Sequence, residues 1–175
     1  PEWIESKNLT TDDILIFTKP DYELDNELLT EDDCYMYGLI LGDGCMNYNS
    51  TNCYISINKE TKQNILRFCI DYLSSKCIEH YTTEENNTIR IYWKRNIQLP
   101  FRYNDIYDDN KEKMIHKKWL NLPIQKSQYI IKGLIDTDGC KHNELVFDTT
   151  SRNLLESLRY LLLKINFPTS GYIRD

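Results

Sequence analysis

The stretch Tyr37-Gly38-Leu39-Ile40-Leu41-Gly42-Asp43-Gly44-Cys45 recurs as Lys132-Gly133-Leu134-Ile135-Asp136-Thr137-Asp138-Gly139-Cys140. The two copies place Asp43 and Asp138 95 residues apart, each followed by Gly-Cys. The segments after the two copies also match in kind. After the first come a short polar segment, a strand-like Tyr54–Asn58 and a helical pattern from Thr61 to about Ser75. After the second come the strand-like Glu144–Asp148 and a helical pattern from Ser151 to about Ile165. Ile65, Phe68, Cys69 and Tyr72 fall at helical spacing, as do Leu154, Leu155, Leu158, Leu161, Leu162 and Ile165, with Thr61 and Ser151 as expected caps. An internal repeat at this scale is one structural unit used twice.

Between the copies, Ile78–Thr82 and Thr88–Lys94 read as strands around a turn at Glu85-Asn86-Asn87, and a polar helix is expected over about Lys111–Leu120. Each unit thus reads helix, two strands, helix, two strands, helix, in an α+β class. The second unit is expected to be truncated: past Ile165 there is room for one strand, Gly171–Arg174. The division is 1–32 as an acidic leader, 33–121 as the first unit and 122–175 as the incomplete second. In the leader, Ile14–Phe17 reads as a strand closed by Pro20, and Asp21–Asp33 as an exposed linker.

Composition bounds the function classes. The 175 residues suit one domain or two small halves sharing a core. No apolar run approaches the roughly 20 residues that span a bilayer, and the acidic start has no hydrophobic signal region. Six scattered cysteines, without a C-x-x-C pair, argue against a zinc site and fit buried thiols in a reducing, intracellular setting (cytoplasm or nucleus). His80, His116 and His142 show no ligand spacing. The net charge of −6 hides an uneven distribution. Residues 1–33 hold eleven acids and two bases, whereas residues 34–175 hold 16 acids and 19 bases, a mildly basic body that is compatible with nucleic acid.

The physics of the repeat can be read directly. Glycine in a helix interior costs about 1 kcal/mol against alanine, so Gly38 and Gly133 imply that another backbone comes close. Two such helices packed together bring their C-terminal ends to one point. Gly44 and Gly139 are expected to supply the turns there. Asp43 and Asp138 would then lie side by side at negative helix ends, an arrangement that calls for a cation. Hard oxygen ligands favour Mg²⁺.

Met36–Gly44 and Ile131–Gly139 resemble the motif that names the LAGLIDADG, or dodecapeptide, homing endonucleases, with Gly-Leu-Ile-Asp-Thr-Asp-Gly close to the name itself. The resemblance covers Asp33–Asp175 in a double-motif form. It implies a pseudo-twofold monomer whose two antiparallel sheets form a saddle over the major groove of a long, specific double-stranded DNA site. It also implies site-specific hydrolysis of phosphodiester bonds with divalent metal. Asp43 and Asp138 would bind the metals, with oxygens added by the carbonyls of Gly42 and Thr137. A lysine near each metal is usual in the family, and Lys94 is the candidate for the first unit, with Lys59 as fallback. Asn47, Asn49, Ser56, Asn58, Arg90, Tyr92, Lys141 and Asn143 are the candidate DNA contacts. Trp3–Leu15 resembles the late part of an intein splicing domain. Pro1 and Ile173-Arg174-Asp175 do not supply splicing residues, so the chain is expected to be an endonuclease insert of an intein. The alternatives are a non-cleaving DNA- or RNA-binding module of the same fold, maturase- or regulator-like, and a decayed insert.

Overall fold

The computed structural model describes residues 4–13, 19–49, 51–95, 98–141 and 145–170, without the side chains of 140, 141 and 145. The expected strands at Ile14–Phe17 and Gly171–Arg174 lie outside these residues. Two central helices carry the repeated motifs, α1 (Glu31–Asp43) and, later in the chain, α5 (Ile124–Asp138). Nearly all of α1 is buried, from Asp33 to Leu41. Its unbroken apolar run explains this: a helix apolar all round can be stable only when it is enclosed.

The two helices meet where side chains are missing. A Cβ added to Gly133 would sit 2.5 Å from the Tyr35 carbonyl oxygen and 2.7 Å from the Leu39 nitrogen. One added to Gly38 would run into the Ile130 carbonyl and lie 3.0 Å from the Gly133 Cα. Backbone cannot yield as a flexible side chain can, so this crossing requires glycine on both sides.

Each motif helix runs straight into a strand. After α1 come β1 (Gly44–Met46) and β2 (Asn52–Asn58), then α2 (Gln63–Ser75), β3 (His80–Glu85) and β4 (Thr88–Lys94). They build a four-stranded antiparallel sheet in the order β1-β2-β4-β3. After α5 come β5 (Gly139–Lys141) and β6 (Leu145–Phe147), an antiparallel pair, and then α6 (Arg152–Lys164). The helix-strand-strand-helix order of the repeat is therefore realised twice. The core lies between the motif helices, the inner sheet face (Cys53, Ile55, Ile57, Ile91, Trp93) and the apolar stripes of α2 and α6.

Several local expectations change. Gly44 and Gly139 are extended, at φ −88° and −77°, and begin strands instead of making a left-handed turn. Space explains them: a Cβ on Gly44 would lie 2.6 Å from the Ile40 Cα, and one on Gly139 would lie 2.5 Å from the Ile135 carbonyl oxygen. Ser151 caps α6 by accepting from the Leu154 N–H, whereas α2 begins after Lys62, without a Thr61 cap. The third strand starts at His80, two residues later than read, because Cys77 takes φ +54° and turns the chain first. No single helix covers Lys111–Leu120. Lys111 has φ +64°, which a helix cannot pass, and Lys113 bridges to Tyr107. One single-turn helix, α3 (Tyr103–Ile106), precedes this region and another, α4 (Lys117–Leu120), ends it. Tyr37 of α1 anchors them, stacked on Trp119 at 3.9 Å and donating its hydroxyl to the Asp105 carbonyl.

The stretch read as an exposed linker ends in buried structure. Thr30 and Asp33 form a reciprocal cap on α1, with Asp33 N–H donating to Thr30 Oγ1 at 3.1 Å and Thr30 N–H to Asp33 Oδ2 at 2.9 Å. The remaining Asp33 oxygen accepts from the Tyr72 hydroxyl at 2.7 Å and from Lys76 at 2.8 Å. Further upstream, the Glu23 carboxylate accepts from the Ile124 N–H at 3.0 Å, Leu24 N–H donates to the Asn121 carbonyl, and Lys126 pairs with Asp25. Pro123 gives α5 no side-chain cap, so Glu23 of the leader meets a free N–H at a positive helix end. The thiols divide by position. Cys34 and Cys69 are pushed by burial to about 12 and Cys53 to about 11, whereas Cys45 is half-buried and Cys77 exposed.

The crossing and the α1 cap should both be visible in stability. Gly133→Ala should destabilise the chain by about 3 kcal/mol, because two backbones must part, whereas Gln128→Ala on the exposed face of α5 should change it by less than about 0.5 kcal/mol; urea unfolding measures both. For Asp33, burial raises the carboxyl, but Lys76, Thr30 and Tyr72 together outweigh it and hold it below the ordinary value of 3.8. A lowered folded value adds stability that is complete above the unfolded value and is lost as pH falls through the folded one. Asp33→Asn should therefore cost about 2 kcal/mol at pH 7, with the gap from the parent narrowing as the melts are moved below the ordinary aspartate value.

Candidate functional site

Asp43 and Asp138 are the last residues of α1 and α5, so the glycine crossing delivers them to one place. Gly42 seals the contact. A Cβ there would collide with the Thr137 side chain and reach within 3.4 Å of Asp138 Oδ2. Thr137 is buried and bends its hydroxyl back to the Gly133 and Leu134 carbonyls, both at 2.9 Å. Burial raises the Asp138 carboxyl above its usual value, the Asp43 carboxylate raises it further, and Lys113 and Lys62 pull against both. The two acids feel each other as the repeat implies.

Two lysines reach the same place. Lys62, the residue that leads into α2, donates from Nζ to Asp43 Oδ2 at 3.1 Å and to the Thr137 carbonyl at 2.5 Å. Lys113 donates to the Gly42 carbonyl and, at 3.4 Å, to the Ile40 carbonyl. Its ammonium is lowered by burial, while Asp138 and Asp43 favour its charge. The Lys113 backbone is held by its bridge to Tyr107 and by Ser151 Oγ, which donates to its carbonyl at 2.6 Å. The Gly42 and Thr137 carbonyls, expected as metal ligands, accept here from Lys113 and Lys62.

Neither lysine chosen from the sequence is in this cluster. Lys94 ends β4 opposite Asn52, whereas Gly44, next to Asp43, pairs with Ile55 three positions along β2. Lys59 pairs with Glu84. Lys62 and Lys113 were not legible because each sits in an irregular segment, where no periodicity says which way a side chain points. Among the described residues, no group of three or more His, Cys, Asp or Glu converges. A cation between the helix ends would have two carboxylates, backbone carbonyls and water or phosphate as ligands. That set fits Mg²⁺, which keeps several waters and takes few protein oxygens.

The strand pairing settles which residues share the outer sheet face. Ser56 opposes Arg90, and Tyr54 opposes Tyr92, with Asn52–Lys94 and Asn58–Thr88 at the two ends. Tyr81 and Thr83 of β3 continue the rows beside Tyr92 and Arg90. Tyr81, Tyr92 and Tyr54 form an aromatic row, with centroids 5.1 and 5.5 Å apart. Ser56, Asn58, Arg90 and Tyr92 are thus on one face, together with Lys94. The asparagines have local tasks. Asn58 Oδ1 accepts from the Glu60 and Thr61 N–H groups and shapes the turn that carries Lys62. Asn47 Oδ1 accepts from the Asn49 N–H in the β1–β2 loop, which Arg95 holds by donating to the Asn47 and Tyr48 carbonyls. Lys141 pairs through its backbone with Leu145, and Asn143 lies outside the described residues.

Residues 126–175 match the family profile of a LAGLIDADG-like domain. The chain is 26% identical over 156 residues to the ATP-dependent DNA helicase Hel308 of Methanocaldococcus jannaschii, in an alignment that covers 81% of this chain and 12% of the helicase. The chain thus spans about an eighth of that relative's length. Its fold is similar to that of mesophilic variants of the homing endonuclease I-DmoI, with a TM-score of 0.63 at 15% identity over 83% of this chain and 82% of that one. I-DmoI in complex with DNA and Mn aligns with the same score and identity over 83% of each chain. No helix among the described residues is long and apolar enough to cross a membrane. Motif, profile and architecture agree: residues 126–175 match a LAGLIDADG-like domain, and the fold of the chain is similar to that of the homing endonuclease I-DmoI.

Proposed function

We propose that the chain is a site-specific endonuclease that hydrolyses phosphodiester bonds of double-stranded DNA with divalent metal, Mg²⁺ by preference. The observation that carries this reading is the joining of Asp43 and Asp138 at two packed helix ends, with the Thr137 carbonyl accepting from Lys62 and the Gly42 carbonyl from Lys113 beside them. The structures that share the fold support it, since I-DmoI was solved with DNA and Ca, with DNA and Mn, and, as a variant, with target DNA and Mg.

In this reading, Asp43 and Asp138 hold the ions, helped by Gly42 and Thr137. When bound, divalent ions supply an activated water and offset charge on the leaving oxygen. The outer face of the four-stranded sheet lies in the major groove, where Arg90, Tyr92 and Ser56 meet base edges or phosphates and Lys94 adds a phosphate contact. Asn47 and Asn49 place the β1–β2 loop against the backbone, and Asn58, Lys141 and Asn143 extend the contact surface. One copy of the chain supplies both halves of the site. Residues 1–32 serve as a leader, 33–121 as the first half and 122–175 as the second. The match to a short part of a much longer helicase favours an insert carried within a host protein, of intein type, in an intracellular setting.

Incubation with a randomised duplex pool and Mg²⁺, followed by sequencing of cut ends, should enrich one long site. EDTA should abolish the cut, and Asp43→Asn or Asp138→Asn should lower its rate by roughly a hundredfold or more. Salt-sensitive binding without nicking by the parent chain would assign it instead to the non-cleaving modules of this fold. On the sheet, Arg90→Ala should weaken binding by about 1–3 kcal/mol and relax preference at one position, measured by competition between site variants.

A further inference from the structure

The two lysines at the helix ends make contacts of an unusual kind. Lys62 does not simply pair with a carboxylate. It joins the Asp43 carboxylate of α1 to the Thr137 carbonyl of α5, one oxygen from each helix. Lys113 makes a related arrangement, donating to the Gly42 carbonyl of α1, with its ammonium favoured by the charge of Asp138 of α5 and, less strongly, of Asp43. The Asp43, Thr137 and Gly42 oxygens that bond to the lysines are, with Asp138, the groups proposed above to hold the metal ions. The lysines themselves are unrelated by the repeat: one follows its aspartate by 19 residues and the other precedes its aspartate by 25.

We infer that Lys62 and Lys113 are built-in counter-cations that fill both ion positions of the metal-free chain, and that a divalent ion enters by displacing them. The inference rests on the reading of Asp43 and Asp138 as metal ligands. Two carboxylates packed at the negative ends of two helices repel each other, and without a cation the crossing would carry that strain into the core. An ammonium relieves it in the absence of metal. The same ammonium cannot stay once a metal arrives. A divalent ion needs these oxygens as its own ligands at close range and repels a positive charge beside it. The two positions differ in how readily they open. The Lys62 side chain is 26% exposed and has solvent to move into. Lys113 is half-buried, and its backbone is fixed by Tyr107 and Ser151. The position at Asp43 and Thr137 therefore fills first, and the position at Gly42 and Asp138 fills second. A displaced Lys62 remains tethered next to the ion, where a phosphate would meet it.

The test uses Ca²⁺ and the chain itself, with calorimetry for binding and thermal melts in EDTA and in Ca²⁺. Lys62→Met removes the competing ammonium. It should bind the first Ca²⁺ roughly three- to tenfold more tightly than the parent, while melting about 2–4 °C lower in EDTA. Lys62→Arg, which keeps the charge, should behave as the parent does. In the Asp43→Asn background, Lys62→Met should leave the EDTA melt unchanged, since the repulsion it balances is gone. A Lys62→Met chain that binds Ca²⁺ no more tightly than the parent, or that melts with the parent in EDTA, overturns the inference and leaves the metal site standing. A parent chain with neither binding heat nor a Ca²⁺-dependent rise in melting temperature overturns both.

Discussion

Where the central helices cross, Gly38 and Gly133 bring backbone to backbone with no side chain between them. The other features depend on this contact. It fixes the separation of α1 and α5, and so decides that Gly42 lies against Thr137 and that Asp138 is close enough for Asp43 to raise it. It also orients the strands, because β1 and β5 leave the helix ends without an intervening loop. A fold organised on a backbone contact has little tolerance at that point and wide tolerance elsewhere. That agrees with a shared architecture at 15% identity.

Like charges gathered at the end of such a crossing impose a second constraint. The chain meets it with ammonium groups drawn from irregular segments, Lys62 before α2 and Lys113 between α3 and α4. Supporting contacts reach well beyond the site. Tyr37, stacked on Trp119, anchors the segment that carries Lys113, and Ser151 links that segment to the start of α6 while capping the helix. Asn58 performs the matching task for Lys62 through the turn after β2. The opposite ends of the motif helices have their own electrostatic partners, with Asp33 serving α1 and Glu23 serving α5. Glu23 and Asp25 of the acidic leader thus meet α5 at its start, away from the aspartates.

The open sheet face shows how pairing turns a set of residues into a surface. Period-two alternation in Thr88–Lys94 identifies a strand with two unlike faces, but both faces carry large side chains, and the alternation alone does not say which is buried. The decision comes from β2, whose Cys53, Ile55 and Ile57 enter the core and thereby commit Ile91 and Trp93 on the neighbouring strand to the same side. Arg90 and Tyr92 are outward because their chain neighbours Ile91 and Trp93 are inward.

The sequence by itself determined the elements whose signal is local or repeated. These are the two motif helices and their terminal aspartates, the amphipathic helices behind the sheets, the strand at Thr88–Lys94 and its turn, and the glycine crossing, since a glycine inside an apolar helix costs stability unless another backbone packs against it. What only the tertiary structure decided lay in segments without periodicity. Lys111 and Cys77 take positive φ values, which break the helix expected near Lys111 and delay the strand expected at Ile78. Gly44 and Gly139 are required by contact with Ile40 and Ile135, not by turn geometry. The lysines at the aspartates could not be identified either. A lysine side chain is long, its direction is set by the loop that carries it, and that loop is positioned by packing from distant parts of the chain. Lys94 is where the strand pattern put it, but the partner strand's register carries it away from the helix ends.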